Sequence, residues 1–278
     1  MDQRQRSILL WITVPLCIVL AITAIGAFRP GIYGQEKPVS ASGGIASDIV
    51  DLFLILPILV CSTILARRGS LRGVLIWAGT LGFLTYNFLI YTFDVRFNMM
   101  FPAYCAVLGL SFYGLMTARE FLSPDEVAKT FSNGAPRKSV AAVFLFIAVS
   151  AAAGELKEIL SAIRSGQAPP SVADTGQFTN PIHVLDLCFL LPALVIAAVL
   201  LLRRREKGFV LAPVLSVVLI LISVEVIAIM VVLFNKGLAT DFSPIVSFGA
   251  AGAVVMLLLI WYLRPKLPLA AHGAGSHA

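Results

Sequence analysis

The chain has 278 residues, of which 59% are hydrophobic and only 13% charged, and its mean hydropathy is +0.92. A soluble domain carries about 45–50% apolar and about 25% charged residues, so this composition excludes an ordinary globular protein, and its apolar content excludes a disordered chain. The net charge of +6 does not predict nucleic-acid binding, because the sequence has no basic stripe with interleaved aromatic residues. We therefore expect an integral membrane protein whose partner is the lipid bilayer.

Eight apolar stretches are long enough to cross a bilayer, for which a helix needs about 20 residues. The stretches are continuously apolar rather than alternating, so they predict helices and not the strands of a barrel. The fold class that we expect is an all-α integral membrane protein with eight transmembrane helices. The predicted spans are residues 8–28, 48–66, 73–93, 98–118, 139–160, 183–202, 209–234 and 244–263.

The distribution of basic residues orients these spans. If the N-terminus is cytoplasmic, 15 of the 21 Lys and Arg residues fall in cytoplasmic segments and only six in the outer ones. Cytoplasmic loops carry an excess of Lys and Arg. The sequence therefore predicts that both termini are cytoplasmic.

An internal duplication is the most informative pattern. At an offset of 135, the blocks 51–60 and 186–195 share six of ten residues, including an Asp, a Pro and a Val. A basic pair follows each block, Arg67-Arg68 and Arg203-Arg204, and then Gly73 or Gly208. We expect two four-helix repeats, which insert the same way up because each has an even number of spans. The predicted organisation is a first repeat, a cytoplasmic linker, a second repeat and a short cytoplasmic tail, at 1–118, 119–138, 139–263 and 264–278.

The linker contains a helix-start signature. Ser123, Pro124, Asp125 and Glu126 combine a capping Ser, a Pro at the first helical position and an acid three residues after the cap. The pattern predicts a short helix on the inner membrane surface, with Val127 and Phe131 on one face.

These motifs also carry a resemblance. The blocks 51–60 with 67–73, and 179–187 with 203–208, resemble those of uncharacterised bacterial multi-pass membrane proteins. The resemblance covers most of the chain and implies a prokaryotic inner-membrane protein. It implies no activity, cofactor or functional residue.

Two pairs of ionisable residues stand at matching places in the repeats. Asp48 and Asp51 lie three residues apart at the start of the second predicted span, as His183 and Asp186 do at the sixth. A spacing of three puts each pair on one helix face. The four side chains suit a divalent metal such as Zn or Mn, or a proton relay. The structural alternative is that an Asp in a first turn caps free amides and that the following Pro bends the helix.

Glu225 is the deepest acid and has no basic residue in its own span. We expect its partners in the third span, at Asn87 and Tyr86. Either the Glu is protonated and hydrogen-bonded in a structural role, or it takes part in the movement of a proton or cation.

Three function classes stay open at this stage. A transporter of ions or small molecules accounts for the parallel repeats, the small soluble mass and Glu225. A membrane-embedded metal-dependent enzyme would use the Asp48, Asp51, His183 and Asp186 quartet. An accessory or sensor subunit is the third class. We favour transport and assign no cofactor.

Overall fold

The computed structural model describes residues 3–264 and contains no strand in that range. Eight of its helices are long and apolar enough to cross a membrane, which confirms the predicted multi-pass helical architecture. The predicted tail 264–278 lies outside the described residues except for its first position. In chain order the helices are α1 (Gln3–Gly26), α2 (Pro38–Arg67), α3 (Leu71–Asp94), α4 (Phe101–Ala118), α5 (Pro124–Phe131), α6 (Arg137–Ser165), α7 (Pro170–Thr175), α8 (Pro181–Leu202), α9 (Glu206–Asn235) and α10 (Ser243–Tyr262).

Connections gather at two ends of the molecule. We call the end formed by residues 27–37, 95–100, 166–180 and 236–242 the predicted outer end, and the other the predicted inner end. Lys37 Nζ donates to the Ala173 carbonyl at 2.6 Å across the predicted outer end. Arg72 Nε donates to the Leu263 carbonyl, also at 2.6 Å, across the predicted inner end.

Large apolar side chains cover the outside of the bundle. Trp11 is 79% exposed and Phe146 74% exposed. In a soluble protein such a surface would drive association, whereas in a membrane it faces lipid.

Helices α3 and α9 lie at the centre. Helix α3 packs against α2, α4, α8 and α9, and α9 packs against α2, α3, α5, α8 and α10. Glycine permits the close approach of these two helices, because a Cβ on Gly79 would lie 2.5 Å from Val217 Cβ and 2.8 Å from the Val214 carbonyl oxygen.

Two tight turns at the predicted inner end have the same hydrogen bonds. After α2, the amides of Arg68, Gly69 and Ser70 donate to the carbonyls of Ile64, Ala66 and Leu65. After α8, the bonds are Arg203 to Val199, Arg204 to Leu201 and Arg205 to Leu200, each at the offset of 135. The correspondence pairs Arg68 with Arg203 and Gly69 with Arg204. The arginine pairs of the sequence comparison are therefore one residue out of register.

The left-handed residue of each turn stands at the same place. Gly69 has a φ of 83°. Arg204 has a φ of 54°, and among residues 3–264 it is the only residue other than glycine with a positive φ. Gly73 and Gly208 follow, and a Cβ on either would lie within 2.8 Å of the preceding helix's backbone. Gly73 and Gly208 thus let the chain pass close to the preceding helix in both turns.

The start of α2 corrects the sequence analysis. The predicted span began at Asp48, but the helix begins at Pro38 and includes the Gly- and Ser-rich residues 38–47. Pro is favoured in the first turn of a helix. Glycine permits a close contact here: a Cβ on Gly44 would lie 2.8 Å from the Tyr33 ring. Close tertiary packing here outweighs the low helix propensity of Gly and Ser.

The short linker helix is confirmed as α5. Ser123 occupies its N-cap position, although its side chain makes no capping bond. Val127 and Phe131 are buried, and the Phe131 ring lies 5.7 Å from that of Tyr262. The apolar face of α5 therefore packs on the bundle.

Candidate functional site

A π-helical turn interrupts α2 and another interrupts α8. They span Asp51–Ile55 and Asp186–Leu190, and each begins at the Asp of the duplicated block. Pro57 and Pro192 come two residues after these turns. A Pro removes one backbone donor and clashes with the carbonyl four residues before it, so the helix widens there. Such turns are frequent at functional sites.

Asp48 and Asp51 lie deep in α2 and not at its start. The helix begins ten residues before Asp48, so the interpretation of these acids as first-turn caps is wrong. In α8 the capping role belongs to Asn180, whose side chain accepts from the amides of Ile182 and His183.

Asp48 has two aromatic neighbours, Tyr33 and Tyr91. The Tyr33 hydroxyl donates to Asp48 Oδ2 at 2.5 Å, and both residues are buried. Burial and the nearby Asp48 carboxyl raise the pKa of Tyr33, so that its hydroxyl stays protonated and can donate. The sequence analysis missed Tyr33, which lies in a connection where an aromatic residue gives no periodic signal.

Asp51 has no partner. It is completely buried, and neither of its carboxyl oxygens makes a hydrogen bond; Asp48 Oδ1 is also without one. The carboxyls of Asp48 and Glu225 act on it electrostatically. A buried polar group without a hydrogen bond is costly, and it calls for an explanation such as an ion or a catalytic role.

Glu225 brings a third carboxyl from α9. It is 8% exposed and faces the side chains of Ser47 and Asn87. Asn87 Nδ2 makes no hydrogen bond within normal geometry. We call Asp48, Asp51 and Glu225 the central carboxyl cluster.

No basic side chain in the described part of the chain forms a salt bridge with the central carboxyl cluster. Lys236 Nζ donates to Ser42 Oγ at 3.0 Å, and Ser42 lies about 9 Å from Asp48 along the axis of α2. Three carboxyls in apolar surroundings need protons or a cation to balance their charge.

A second group of ionisable residues lies between α6 and α8. Asp186 Oδ1 accepts from the Tyr86 hydroxyl at 2.8 Å, and its carboxyl also contacts that of Glu155. One turn toward the predicted outer end, His183 Nε2 lies 3.7 Å from Glu158 Oε2. We call the four residues of α6 and α8 the carboxyl ladder. The sequence analysis missed Glu155 and Glu158, although their spacing of three matches that of His183 and Asp186.

The predicted site residues are thus divided between two groups. Asp48 and Asp51 join Glu225, whereas His183 and Asp186 join Glu155 and Glu158. Asn87 faces Glu225, but its neighbour Tyr86 directs its hydroxyl to Asp186. Over residues 3–264, no group of three or more His, Cys, Asp or Glu side chains is arranged to hold a metal ion.

Two open clefts lie at the predicted inner end. One, of about 500 Å³, is lined by α5 and the start of α9 and includes Lys129, Arg137 and Arg204. The other, of about 300 Å³, lies between α3, α4 and α9 and has a mostly apolar lining. Neither cleft includes a member of the central carboxyl cluster.

Comparison of the chain with protein-family models, with curated proteins and with solved structures finds no match.

Proposed function

We propose that the protein is a proton-dependent membrane transporter in which the central carboxyl cluster binds and releases protons. The observation that carries this proposal is Asp51, which is fully buried with both carboxyl oxygens unpaired. Ionisable residues inside a membrane are costly and mark ion pathways and proton relays. Asp48 and Glu225 give the cluster further proton-binding groups.

We also propose that residues 1–118 and 139–263 are parallel four-helix repeats, joined by 119–138, with both termini on the cytoplasmic side of the inner (plasma) membrane. The matching π turns and the matching turns at Gly69 and Arg204 support the repeats. The excess of basic residues in alternate connections supports the orientation.

The π turn suits a transport role for α2. An interruption of regular helix in a membrane span leaves backbone groups free to line an ion site, and broken helices in matching halves are found at transporter sites. In α2 the widened turn begins at Asp51 itself.

The test measures charge movement when protons bind within the membrane. Purified protein in liposomes on a solid support is given a sudden pH drop, and the transient current is recorded. We expect a current in the wild type that is lost in Asp51→Asn and in Glu225→Gln. These swaps remove the titratable group and keep its size, so a purely structural role for either residue would leave the current unchanged.

Asp125→Asn is the matched control. Asp125 is an exposed acid on α5 that pairs with Lys129 at 2.6 Å, outside the spanning helices. Its loss should leave the current unaltered. A wild type without a current, or variants that keep it in full, would refute the proposed function.

A further inference from the structure

The carboxyl ladder faces the predicted outer end and leads inward, residue by residue. Glu155 and Glu158 lie three apart on α6, and His183 and Asp186 lie three apart on α8, so each pair shares one helix face. The outer rung, Glu158 and His183, has side chains that are 30% and 14% exposed. On the inner rung, Glu155 Oε2 is buried without a hydrogen bond.

Tyr86 connects the inner rung to the centre of the bundle. Its hydroxyl donates to Asp186 Oδ1. It lies on α3 next to Asn87, which faces Glu225, and the Glu225 carboxyl is among the groups that act electrostatically on its hydroxyl. Helix α3 packs against both α8 and α9. Tyr86 therefore lies between the ladder and the central carboxyl cluster.

The direct way to the cluster from the predicted outer end is covered by aromatic rings. The rings of Tyr91 and Tyr104 are 5.2 Å apart, and Phe88 stacks on Tyr91 at 5.0 Å. All three are almost completely buried. Tyr33 contacts Asp48 here, and the acid beyond it is Glu36, which acts electrostatically on Tyr104 and whose carboxylate is held by the Arg96 amide at 2.6 Å.

We infer that the carboxyl ladder and Tyr86 form the path along which protons reach the central carboxyl cluster from the predicted outer end. This inference rests on the proposed function. The unpaired Asp51 is the independent observation, because a fully buried acid that exchanges protons needs a path to solvent. The path runs through Glu158, His183, Glu155, Asp186, Tyr86 and Glu225.

Each step moves one proton between two side-chain atoms, which are nitrogens at His183 and oxygens at the other residues. A proton bound by the Glu155 and Asp186 pair passes from Asp186 to the Tyr86 oxygen, while the Tyr86 hydroxyl proton passes to the Glu225 carboxylate. At each transfer one O–H or N–H bond breaks and one forms. Tyr86 ends unchanged, Asp186 is left as a carboxylate, and Glu225 becomes a carboxylic acid.

The experiment separates the path from the binding site. The infrared band of protonated carboxyl groups is followed in time after a rapid pH drop, in the purified wild type and in Tyr86→Phe. We expect the variant to reach the same final amplitude at a rate about a hundredfold lower, since positioned proton carriers contribute roughly 10²–10⁴-fold. Glu155→Gln should also slow the rise. Asp51→Asn and Glu225→Gln should lower the final amplitude instead.

Tyr262→Phe is the control for the loss of a buried hydroxyl. Tyr262 is buried at the predicted inner end and donates to the Phe209 carbonyl at 2.9 Å. Its variant should keep the wild-type rate. An unchanged rate in Tyr86→Phe, or slowing in Tyr33→Phe alone, would overturn the inference and leave the proposed function standing. If the wild type shows no pH-dependent infrared band from the central carboxyl cluster, both the inference and the proposed function are wrong.

Discussion

The π turns of α2 and α8 have the same backbone but different surroundings. Each begins at an Asp, lasts five residues and is followed by a Pro. Asp186 receives a hydrogen bond from Tyr86, whereas Asp51 receives none. The π turn fixes the position of the Asp carboxyl along its helix. The residues of the neighbouring helix decide whether that carboxyl receives a hydrogen bond.

The difference arises from α3 and α9, which supply the partners. The position of α9 that corresponds to Tyr86 at the offset of 135 is Leu221, an apolar residue. The position of α3 that corresponds to Glu225 is Ile90. Asp186 of α8 thus receives a hydrogen bond from Tyr86, whereas Asp51 of α2 has the further acid Glu225 near it.

Disrupting the contact between α3 and α9 should give the largest loss of stability among these variants. In Gly79→Ala the added Cβ meets Val217 Cβ at 2.5 Å and the Val214 carbonyl at 2.8 Å. Overpacking of this kind costs about 1–3 kcal/mol. We therefore expect the free energy of unfolding of Gly79→Ala, measured in detergent micelles, to fall by this amount.

Gly109→Ala on α4 is the matched control. A Cβ at Gly109 has no neighbour within 4 Å. Stability should stay level or rise slightly, because Ala is the better helix former. Equal losses in the two variants would mean that helical glycine itself, and not the contact, matters.

Replacing the two π-turn acids by Leu should change stability in opposite directions. Asp51→Leu removes a buried carboxyl without partners, and we expect a gain of about 1–3 kcal/mol together with loss of proton binding. Asp186→Leu leaves the Tyr86 hydroxyl without its acceptor, and we expect a loss of about 1 kcal/mol.

Thermal unfolding of the two Leu variants beside the wild type checks this prediction. A loss in both variants would mean that the Asp51 oxygens are paired in the folded protein. The comparison between the two turns would then fail.

The smallest effect should come from the turns at the predicted inner end. Arg204→Gly relieves a left-handed backbone, and we expect a gain of up to about 1 kcal/mol. Gly69→Ala introduces the same strain at the corresponding position and should cost about 1 kcal/mol. Denaturation of both variants in micelles measures the pair, and changes of the same sign would contradict the correspondence of the two turns.

Much of the architecture could be predicted from the sequence. The eight spans were found because each helix must carry about 20 apolar residues through the membrane. Asp and Pro in the duplicated block indicated a local irregularity in both helices, which the structure gives as two π turns. The helix α5 followed from its Ser-Pro start.

The start of α2 and the composition of the candidate site could not be predicted in this way. Residues 38–47 are rich in Gly and Ser, yet they are helical, and the Tyr33 ring packs on Gly44 within them. The partners Tyr33 and Glu155 come from segments distant in sequence.

The sequence by itself determined how many helices are long and apolar enough to cross a membrane and that Pro would bend α2 and α8, because length, hydropathy and Pro act within one helix. Only the tertiary structure decided that Asp51 is left without a donor while Asp186 has Tyr86. A hydrogen-bond partner across a helix contact depends on the rotation and depth of two helices. Local sequence does not determine either quantity.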